Sequence, residues 1–222
     1  MKTIMNHTLI TTPSNPSPQW ARHTARMCSM LLFMAFAATA QADAGLQAMR
    51  SFIAAQKSIS GEFVQTVAGK TSRQTGTFAL SKPAQFRWSI QKPFEQLLVS
   101  DGKTLTQWDA DLNQATVRNA EGLLANTPAA LLLGGAALEK QFNLVDAGTE
   151  EGLAWVQATP KAADGQFKSI KLGFKDGVPA ALLAQDAFGG ISRIELKNVN
   201  TAAVAASQFN FTPPKGADVV KM

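Results

Sequence analysis

Few residues of this 222-residue chain are of the types that catalyse reactions or bind transition metals. A nucleophilic hydrolase needs a serine or cysteine beside a base such as histidine, and a zinc site needs histidine or cysteine ligands. The chain has no tyrosine, and its only histidines and cysteine are His7, His23 and Cys28. All three precede residue 43, within a segment that has the pattern of a cleaved leader. We therefore expect no catalytic residue, no metal site, no cofactor and no disulfide in the mature protein.

Two acidic groups have types and spacings that could bind calcium or transfer protons. Asp109, Asp111 and Asn113 match the first ligands of a calcium-binding loop, but the glycine and the glutamate that such a loop needs further on are absent. Glu150-Glu151 could act in acid–base chemistry, but the pair is flanked by glycines and has no apolar pocket near it in sequence. The sequence favours a polar turn at the first group and a solvated loop at the second.

A leader precedes the domain. Arg22 and Arg26 are followed by the uncharged apolar run Met27–Ala38, and Ala40-Gln41-Ala42 then supplies the small residues that a signal peptidase recognises. The apolar run is too short to span a bilayer, which takes about 20 residues. The pattern predicts a secretory signal peptide over residues 1–42, and an uncleaved anchor is the alternative.

Residues 43–222 are long enough for one domain with a sizeable core, and no internal repeat or linker divides them. The leader has three basic residues and no acidic residue, so its removal lowers the formal net charge from +5 to +2. The remaining charges are scattered, without the basic stripe of a nucleic-acid-binding protein. We expect no nucleic-acid partner.

The stretch Phe78–Trp108 has the pattern of four short strands. Phe86, Trp88 and Ile90 alternate with polar residues, as in a strand with one apolar face. Asp101-Gly102 suits the left-handed positions of a type I′ turn between two further strands. The pattern predicts an antiparallel meander whose apolar face must be covered by another element.

Two segments have helical patterns that could supply this cover. Ala44–Lys57 has apolar residues at helical spacing, and Asp43 is its predicted N-cap. Asn126-Thr127-Pro128 is a helix-start pattern before the apolar segment Ala129–Leu133, which Gly134-Gly135 ends. A short, wholly apolar helix must lie on apolar surface, either as a fixed plug on an open sheet or as a movable lid.

Strand patterns resume after residue 140 and continue to the C-terminus. In Phe167–Lys175, alternate apolar residues share one face, and Phe209 and Phe211 are predicted to lie in a last strand that Pro213-Pro214 ends. Ten or eleven strands with helices only at the start and near residue 130 predict a curved antiparallel sheet or a barrel.

The predicted architecture bears on function because its apolar face can enclose a cavity. Two short helices cover a large apolar face incompletely, and an apolar cavity in an exported protein without catalytic groups suggests carriage of an apolar molecule. The strand aromatics fit a plain core equally well, so a structural β-protein without a cavity is an alternative. An enzyme would need an unusual Ser-Lys or carboxylate site, for which the sequence has no motif.

Four stretches, in this order, resemble the LolA family of periplasmic outer-membrane lipoprotein carriers: Phe86–Leu105, Asn126–Leu133, Thr159–Lys161 and Phe209–Val219. The resemblance covers nearly all of residues 43–222. It implies a mainly β (α+β) fold, an incomplete antiparallel β-barrel of about eleven strands with helices as a lid over a hydrophobic cavity. It also implies a monomeric periplasmic chaperone that takes triacylated lipoproteins from an inner-membrane ABC transporter and delivers them to an outer-membrane receptor. A LolA-like carrier of another lipid, such as a glycolipid or a lipid precursor, is the alternative.

The resemblance also implies roles for individual residues. Lys82 falls where a basic residue before proline, usually arginine, holds the lid, and Phe86 falls where an aromatic residue matters for receiving cargo. We expect the Lys82 ammonium to donate to the last carbonyls of the helix that follows Pro128. The side chains expected to bind lipid are Phe78, Phe86, Trp88, Ile90, Leu98, Leu105, Leu131 and Leu132.

Overall fold

The computed structural model describes residues 43–120, 127–134, 138–162 and 165–222. The predicted leader lies outside the described residues, as do Asn126 and Gly135. The described helices are α1 (Ala44–Ala55), α2 (Pro128–Leu133), α3 (Leu138–Gln141) and a 3₁₀ helix (Ala206–Phe209). The described strands are β1 (Ser58–Val67), β2 (Arg73–Ser81), β3 (Gln85–Lys92), β4 (Gln96–Ser100), β5 (Thr104–Asp109), β6 (Gln114–Asn119), β7 (Phe142–Glu150), β8 (Leu153–Pro160), β9 (Phe167–Lys175), β10 (Val178–Asp186), β11 (Ile191–Asn200) and β12 (Asp218–Lys221).

The twelve strands form one sheet in the order β12-β6-β5-β4-β3-β2-β1-β11-β10-β9-β8-β7. Neighbouring strands run antiparallel, except that β12 lies parallel to β6. Strands β12 and β7 are the two edges, so the sheet is open rather than a closed barrel. The predicted mainly β, incomplete barrel is therefore confirmed, with twelve described strands where about eleven were expected.

One face of this sheet, the inner face, carries the main apolar core, which extends from β3 across to β7. Phe86 and Trp88 of β3 lie opposite Leu80 and Phe78 of β2, and Trp88 also lies opposite Leu98 of β4. Because side chains alternate between faces, this register places these residues of the meander on the same side, whereas Leu97, Val99 and Trp108 form a second buried cluster on the other side. The other half of the sheet adds buried residues in register: Leu182 of β10, Leu172 of β9 and Val156 of β8.

Helix α1 packs on the inner face over β7, β8 and β9, with Met49 and Phe52 buried. The prediction that Asp43 caps this helix is wrong, because its side chain makes no capping hydrogen bond. Instead, Asp146 of β7 accepts hydrogen bonds from the backbone N–H groups of Gly45 (2.8 Å) and Leu46 (3.3 Å). The sheet itself thus supplies the carboxylate that the first turn of the helix requires.

Helix α2 is the short apolar helix that the sequence predicted, and it packs against β2 and β10. Pro128 opens it, and its buried residues include Leu131 and Leu132. Gly134 follows with φ +65° and ψ −155°, a backbone conformation available essentially to glycine alone. A Cβ at Gly134 would lie 2.5 Å from Cγ2 of Ile53, so the end of α2 lies directly against α1.

Two glycine-containing hairpin turns differ from each other in conformation. Asp176 (φ 51°) and Gly177 (φ 78°) are both left-handed, as a type I′ turn requires. The predicted type I′ conformation at Asp101-Gly102 is wrong, since only Gly102 has a positive φ there. The Asp101 carboxylate instead accepts hydrogen bonds from the N–H groups of Thr104 and Lys103, both at 2.8 Å, and these bonds lower the pKa of Asp101.

The predicted last strand at Phe209 and Phe211 is also wrong. Phe209 ends the 3₁₀ helix, and Phe211 packs on the other, outer face of the sheet, with its ring 5.9 Å from that of Trp108. Pro213 and Pro214 have no N–H group to donate to a ladder, so this extended segment crosses the sheet without joining it. The chain pairs again only at β12.

Candidate lipid-binding site

A cavity of about 260 Å³ lies between the inner face and helix α2. Strands from both halves of the sheet contribute to its wall, and α2 covers it. None of the lining side chains in the described part of the chain is charged. The lining residues are Gln65, Leu80, Phe86, Trp88, Leu98, Thr127, Pro128, Ala129, Leu132, Gln166, Phe167, Leu182, Ala184, Ser192 and Ile194.

The cavity is closed at one end and open at the other. Leu80, Phe86 and Leu182 are buried at its closed end. At the other end, where β10 turns into β11, Gln166 is exposed and Ser192 is partly exposed. We refer to this end of the sheet as the mouth end. An amphiphile with its apolar part inside would have its polar part at the mouth end.

Aromatic side chains form a closely packed cluster in the cavity wall. Trp88 stacks on Phe63 with ring centroids 3.9 Å apart, and its ring lies 5.9 Å from Phe78 and 6.5 Å from Phe86. Gly76 makes room for this cluster, because a Cβ there would lie 2.9 Å from the Phe63 ring. The cluster fixes Trp88 in place while leaving one side of the indole open to the cavity.

The structure brings four of the eight predicted lipid-binding residues together. Phe86, Trp88, Leu98 and Leu132 line the cavity. The other four are differently placed: Phe78 and Leu131 are buried in the adjoining core, Ile90 lines a shallower groove on the inner face with Trp88 and Leu98, and Leu105 is buried on the inner face of β5 outside the cavity. That any of the eight binds lipid stays a prediction.

Sequence reasoning missed the half of the cavity wall that β9, β10 and β11 supply. Phe167, Leu182, Ala184 and Ile194 line the cavity, yet none of them belongs to the meander on which the prediction concentrated. The alternation of apolar and polar residues around Ile194 was a usable signal. This alternation does not show that β11 pairs with β1, and it is this pairing that joins the two halves of the sheet.

Lys82 lies at the junction of both helices. Its ammonium donates a hydrogen bond to the carbonyl oxygen of Ile53, near the C-terminal end of α1. The predicted acceptor, a carbonyl at the end of α2, is therefore wrong, although Lys82 does lie beside Leu132 and Leu133. A cation at this point satisfies a last-turn carbonyl of α1 and complements its helix dipole.

The two acidic groups singled out in the sequence have structural roles. Asp109 accepts hydrogen bonds from the side chain of Gln96 (2.9 Å) and from the N–H of Leu112 (3.2 Å), as in a polar turn. Glu150 ends β7, and Glu151 occupies the tight turn to β8, where it pairs with Arg193 at 2.6 Å. Within the described ranges, no three potential metal ligands come together.

None of the helices described here has both the length and the apolar character needed to cross a bilayer.

Comparison with known proteins gives a consistent result. The sequence pattern of the family described as outer membrane lipoprotein carrier protein LolA matches residues 54–212. An outer-membrane lipoprotein carrier protein of Bordetella pertussis is 43% identical over 192 residues, which cover 85% of this chain and 89% of the relative. One of Cupriavidus necator, with the same name, is 42% identical over 202 residues, covering 87% of this chain and 95% of the relative.

A solved structure supports the fold. An uncharacterised conserved protein from Thermus thermophilus superposes with a TM-score of 0.54 at 14% identity, covering 80% of this chain and 99% of that protein. At this identity the likeness concerns the fold alone. The family match spans most of the chain, and the relatives are similar to it over nearly their full length. The chain belongs to the LolA family of outer membrane lipoprotein carrier proteins.

Proposed function

We propose that this protein carries lipoproteins across the periplasm by enclosing their acyl chains in the cavity under α2. The observation that carries the proposal is an apolar cavity that opens at one end of the sheet and has no charged lining residue among the described residues. Burial of acyl chains there contributes roughly 0.8 kcal/mol per CH₂. The membership of the LolA family supports the same function.

The size of the cavity implies a moving lid. Pockets for drug-sized ligands measure roughly 300–1,000 Å³, and a cavity of about 260 Å³ is too small for the three chains of a triacylated lipoprotein. Loading therefore requires α2, and α1 beside it, to move off the sheet. Such movement exposes buried leucines of α2, which offsets part of the gain and keeps binding reversible.

Lys82 is the proposed latch of this lid. Its hydrogen bond to Ile53 holds the end of α1, and Ile53 in turn packs against Gly134 at the end of α2. One bond thereby stabilises the closed position of both helices. A hydrogen bond to a charged group is worth roughly 1.5–3 kcal/mol, which cargo burial can overcome.

The remaining parts of the proposal concern location and partners. Residues 1–42 act as a cleaved secretory signal, and residues 43–222 form the carrier domain in the periplasm. The carrier receives triacylated lipoproteins from an inner-membrane ABC transporter and passes them to an outer-membrane receptor, acting as a monomer. It needs no cofactor, because transfer of an acyl chain between apolar sites breaks no covalent bond.

Release of a triacylated lipoprotein from inner-membrane vesicles tests this function. The purified protein should keep the released lipoprotein in the supernatant after ultracentrifugation without detergent. Trp88 provides a direct readout, because its ring lines the cavity. Energy transfer from tryptophan to a bound dansyl fatty acid should saturate, and Trp88→Phe should lower it by removing the donor at the cavity wall. The buried Trp108 and Trp155 lie outside the cavity lining and account for the transfer that remains in this variant.

Three outcomes of these two assays distinguish the proposed functions. Saturable transfer together with lipoprotein release supports the lipoprotein carrier. Saturable binding of lipid probes without release of any lipoprotein favours a carrier of another lipid. The absence of saturable transfer in the folded protein contradicts both proposals and favours a structural protein.

A further inference from the structure

Three hairpin tips at the mouth end of the sheet expose large apolar side chains. Phe94 between β3 and β4 is 64% exposed, Leu112 between β5 and β6 is 69% exposed, and Phe188 between β10 and β11 is 98% exposed. The strand register places these tips at the same end of the sheet. The four described hairpin tips at the opposite end expose no large apolar side chain: Lys82–Ala84, Asp101–Lys103, Glu151-Gly152 and Asp176-Gly177.

The Phe188 tip is held in an ordered conformation. The Asp186 carboxylate accepts hydrogen bonds from the backbone N–H groups of Phe188 and Gly190, each at 2.8 Å. The backbone N–H of Asp186 also donates to the carbonyl of Gly190 at 2.9 Å. These bonds fix the loop with the Phe188 ring pointing into solvent. A large apolar side chain held outward in this way marks an interaction surface.

This tip lies beside the opening of the cavity. The hairpin joins the strands that carry Ala184 and Ser192, which both line the cavity. The N–H of Ala187 donates to the carbonyl of Gln166, another lining residue, at 2.9 Å. Whatever contacts Phe188 is therefore brought next to the mouth of the cavity.

We propose that these three tips, the apolar rim (Phe94, Leu112 and Phe188), dock onto the surface of a phospholipid bilayer and turn the cavity mouth toward it. The proposal rests on the carrier function, because the transporter that supplies the cargo and the receptor that accepts it both lie at bilayers. Side chains at the rim would sit at the boundary between headgroups and acyl chains, as interfacial aromatic residues do.

The shape of the rim fits a bilayer better than a folded partner. Its side chains protrude from separate hairpins, and the β1–β2 tip with exposed Lys70 lies between those of Phe94 and Phe188. A stable protein interface needs a continuous complementary patch of roughly 800 Å² on each partner. A bilayer accommodates isolated insertions, because lipids rearrange around each of them.

Charge has a minor part in this contact. Both signs of charge are exposed at or beside these tips: Lys70, Arg73, Lys92 and Lys215 are basic, and Glu95, Asp111 and Asp218 are acidic. Charges of both signs cancel much of the attraction to an anionic surface. Binding should therefore occur on zwitterionic as well as anionic vesicles and depend weakly on salt. It should also be transient, since only three side chains insert.

Sedimentation with sucrose-loaded vesicles tests the rim. The vesicles are phosphatidylcholine alone or phosphatidylethanolamine with phosphatidylglycerol, and the protein carries no cargo. Phe188→Ser should lower the partition coefficient by about tenfold, the amount expected for partial burial of one phenyl ring. The triple variant F94S/L112S/F188S should reduce sedimentation to background. Val145→Ser is the matched control, because Val145 is 51% exposed on edge strand β7 rather than at a hairpin tip.

The outcomes separate this inference from the carrier function. Dansyl fatty acid binding read by Trp88 should be the same in the rim variants and the parent, which shows that they are folded and that the cavity works. Parent protein that does not sediment with either kind of vesicle overturns the inference, as does Phe188→Ser that sediments like the parent. Binding that disappears with salt but resists F94S/L112S/F188S would mean a charged contact and would overturn it too. In each of these cases, intact probe binding leaves the carrier function standing.

Discussion

A single charge at Phe86 is expected to impair ligand binding in the cavity while the surrounding sheet stays folded. The ring is 5% exposed, lines the closed end of the cavity and lies near Trp88. Phe86→Glu would bring a carboxylate into a wall whose described lining residues include no basic side chain to pair with it. We expect affinity for a dansyl fatty acid to fall at least tenfold, and the free energy of unfolding to fall by about 3 kcal/mol.

The control for this prediction is Phe94→Glu, which places the same charge at an exposed tip. Its affinity for the probe in solution should equal that of the parent. The Phe86→Glu variant should also regain affinity as the pH is lowered and the buried carboxylate is protonated. A folded Phe86→Glu variant with parental affinity would show that Phe86 is not part of the binding site.

Asp101 gives the turn between β4 and β5 a measurable pH dependence. Hydrogen bonds from the N–H groups of Thr104 and Lys103 lower the pKa of this carboxyl below its ordinary value of 3.8. A group whose pKa is lowered by folding stabilises the protein above its unfolded pKa and loses this contribution as the pH falls through its folded pKa. Because solvent screens this exposed carboxylate, Asp101→Ala should lower the free energy of unfolding by less than about 1 kcal/mol at neutral pH.

Urea unfolding of the parent and of Asp101→Ala at pH 7 and at a pH below 3.8 tests this. The difference between the two proteins should shrink at the lower pH. A difference that is equal at both pH values would show that the charge of Asp101 does not stabilise the turn.

Side-chain hydrogen bonds hold helix α1 at both ends, through Asp146 at its start and Lys82 near its end. Lys82→Leu removes the donor to the Ile53 carbonyl while keeping an apolar stem beside Leu132. The open position should gain about tenfold in population or more, given roughly 1.5–3 kcal/mol for such a bond. Loading should persist while delivery slows, because closure no longer helps to expel the cargo.

Transfer of a labelled lipoprotein from loaded carrier to receptor-bearing membranes measures this effect. Lys82→Arg is the matched variant, since it keeps a cation that can donate to the same carbonyl, and it should transfer like the parent or close more firmly. Equal transfer by Lys82→Leu and the parent would show that Lys82 is a turn residue and does not act as a latch.

Gly134 couples the two helices through contact rather than through charge. Gly134→Ala would adopt φ and ψ angles that are costly for other residues, and its methyl group would press on Ile53. We expect the free energy of unfolding to fall by about 1–3 kcal/mol and probe access to the cavity to increase. Gly69→Ala is the control, because Gly69 also has a positive φ (76°) but nothing lies within 4 Å of its Cβ position. If both variants behave alike, the contact with Ile53 does not matter.

The elements differ in how far the sequence could predict them. The alternation of Phe86, Trp88 and Ile90 is local, so the inner face of β3 follows from period two alone. The contacts that fix the helices are not local: Lys82 reaches Ile53 across 29 residues, and Asp146 reaches Gly45 across 101. Their partners depend on where each helix comes to lie on the curved sheet, which no spacing in the sequence specifies.

At the scale of the whole molecule, the main prediction about its location in the cell is that a leader directs its export and is then cleaved. If residues 1–42 are removed during export, the protein isolated from the periplasm should begin at Asp43. Intact mass and N-terminal sequencing of that protein measure the cleavage site. Ala42→Asp, which removes the small residue before the expected cut, should cause unprocessed precursor to accumulate. A periplasmic protein that still begins at Met1 would contradict the prediction.

The two halves of the sheet contribute to one site only because β1 and β11 pair. Residues 58–119 and 142–200 each have strand patterns of their own, and either could be taken alone for a separate small sheet. The pairing of Gln65 with Ile194 brings two lining residues from these halves side by side. The site is thus a property of the complete sheet, and a fragment that lacks either half should not bind the lipid probe.

The parallel pairing of β12 with β6 has a practical consequence for experiments on surfaces. Because β12 runs alongside β6, Met222 emerges at the end of the sheet away from the cavity mouth, and its N–H is anchored to the carbonyl of Val117 at 3.0 Å. A sensor chip or bead attached through the C-terminus would therefore hold every molecule with its opening toward the solution. Immobilised in this orientation, the protein could capture lipoproteins from a flowing extract, and the captured cargo could be identified by mass spectrometry.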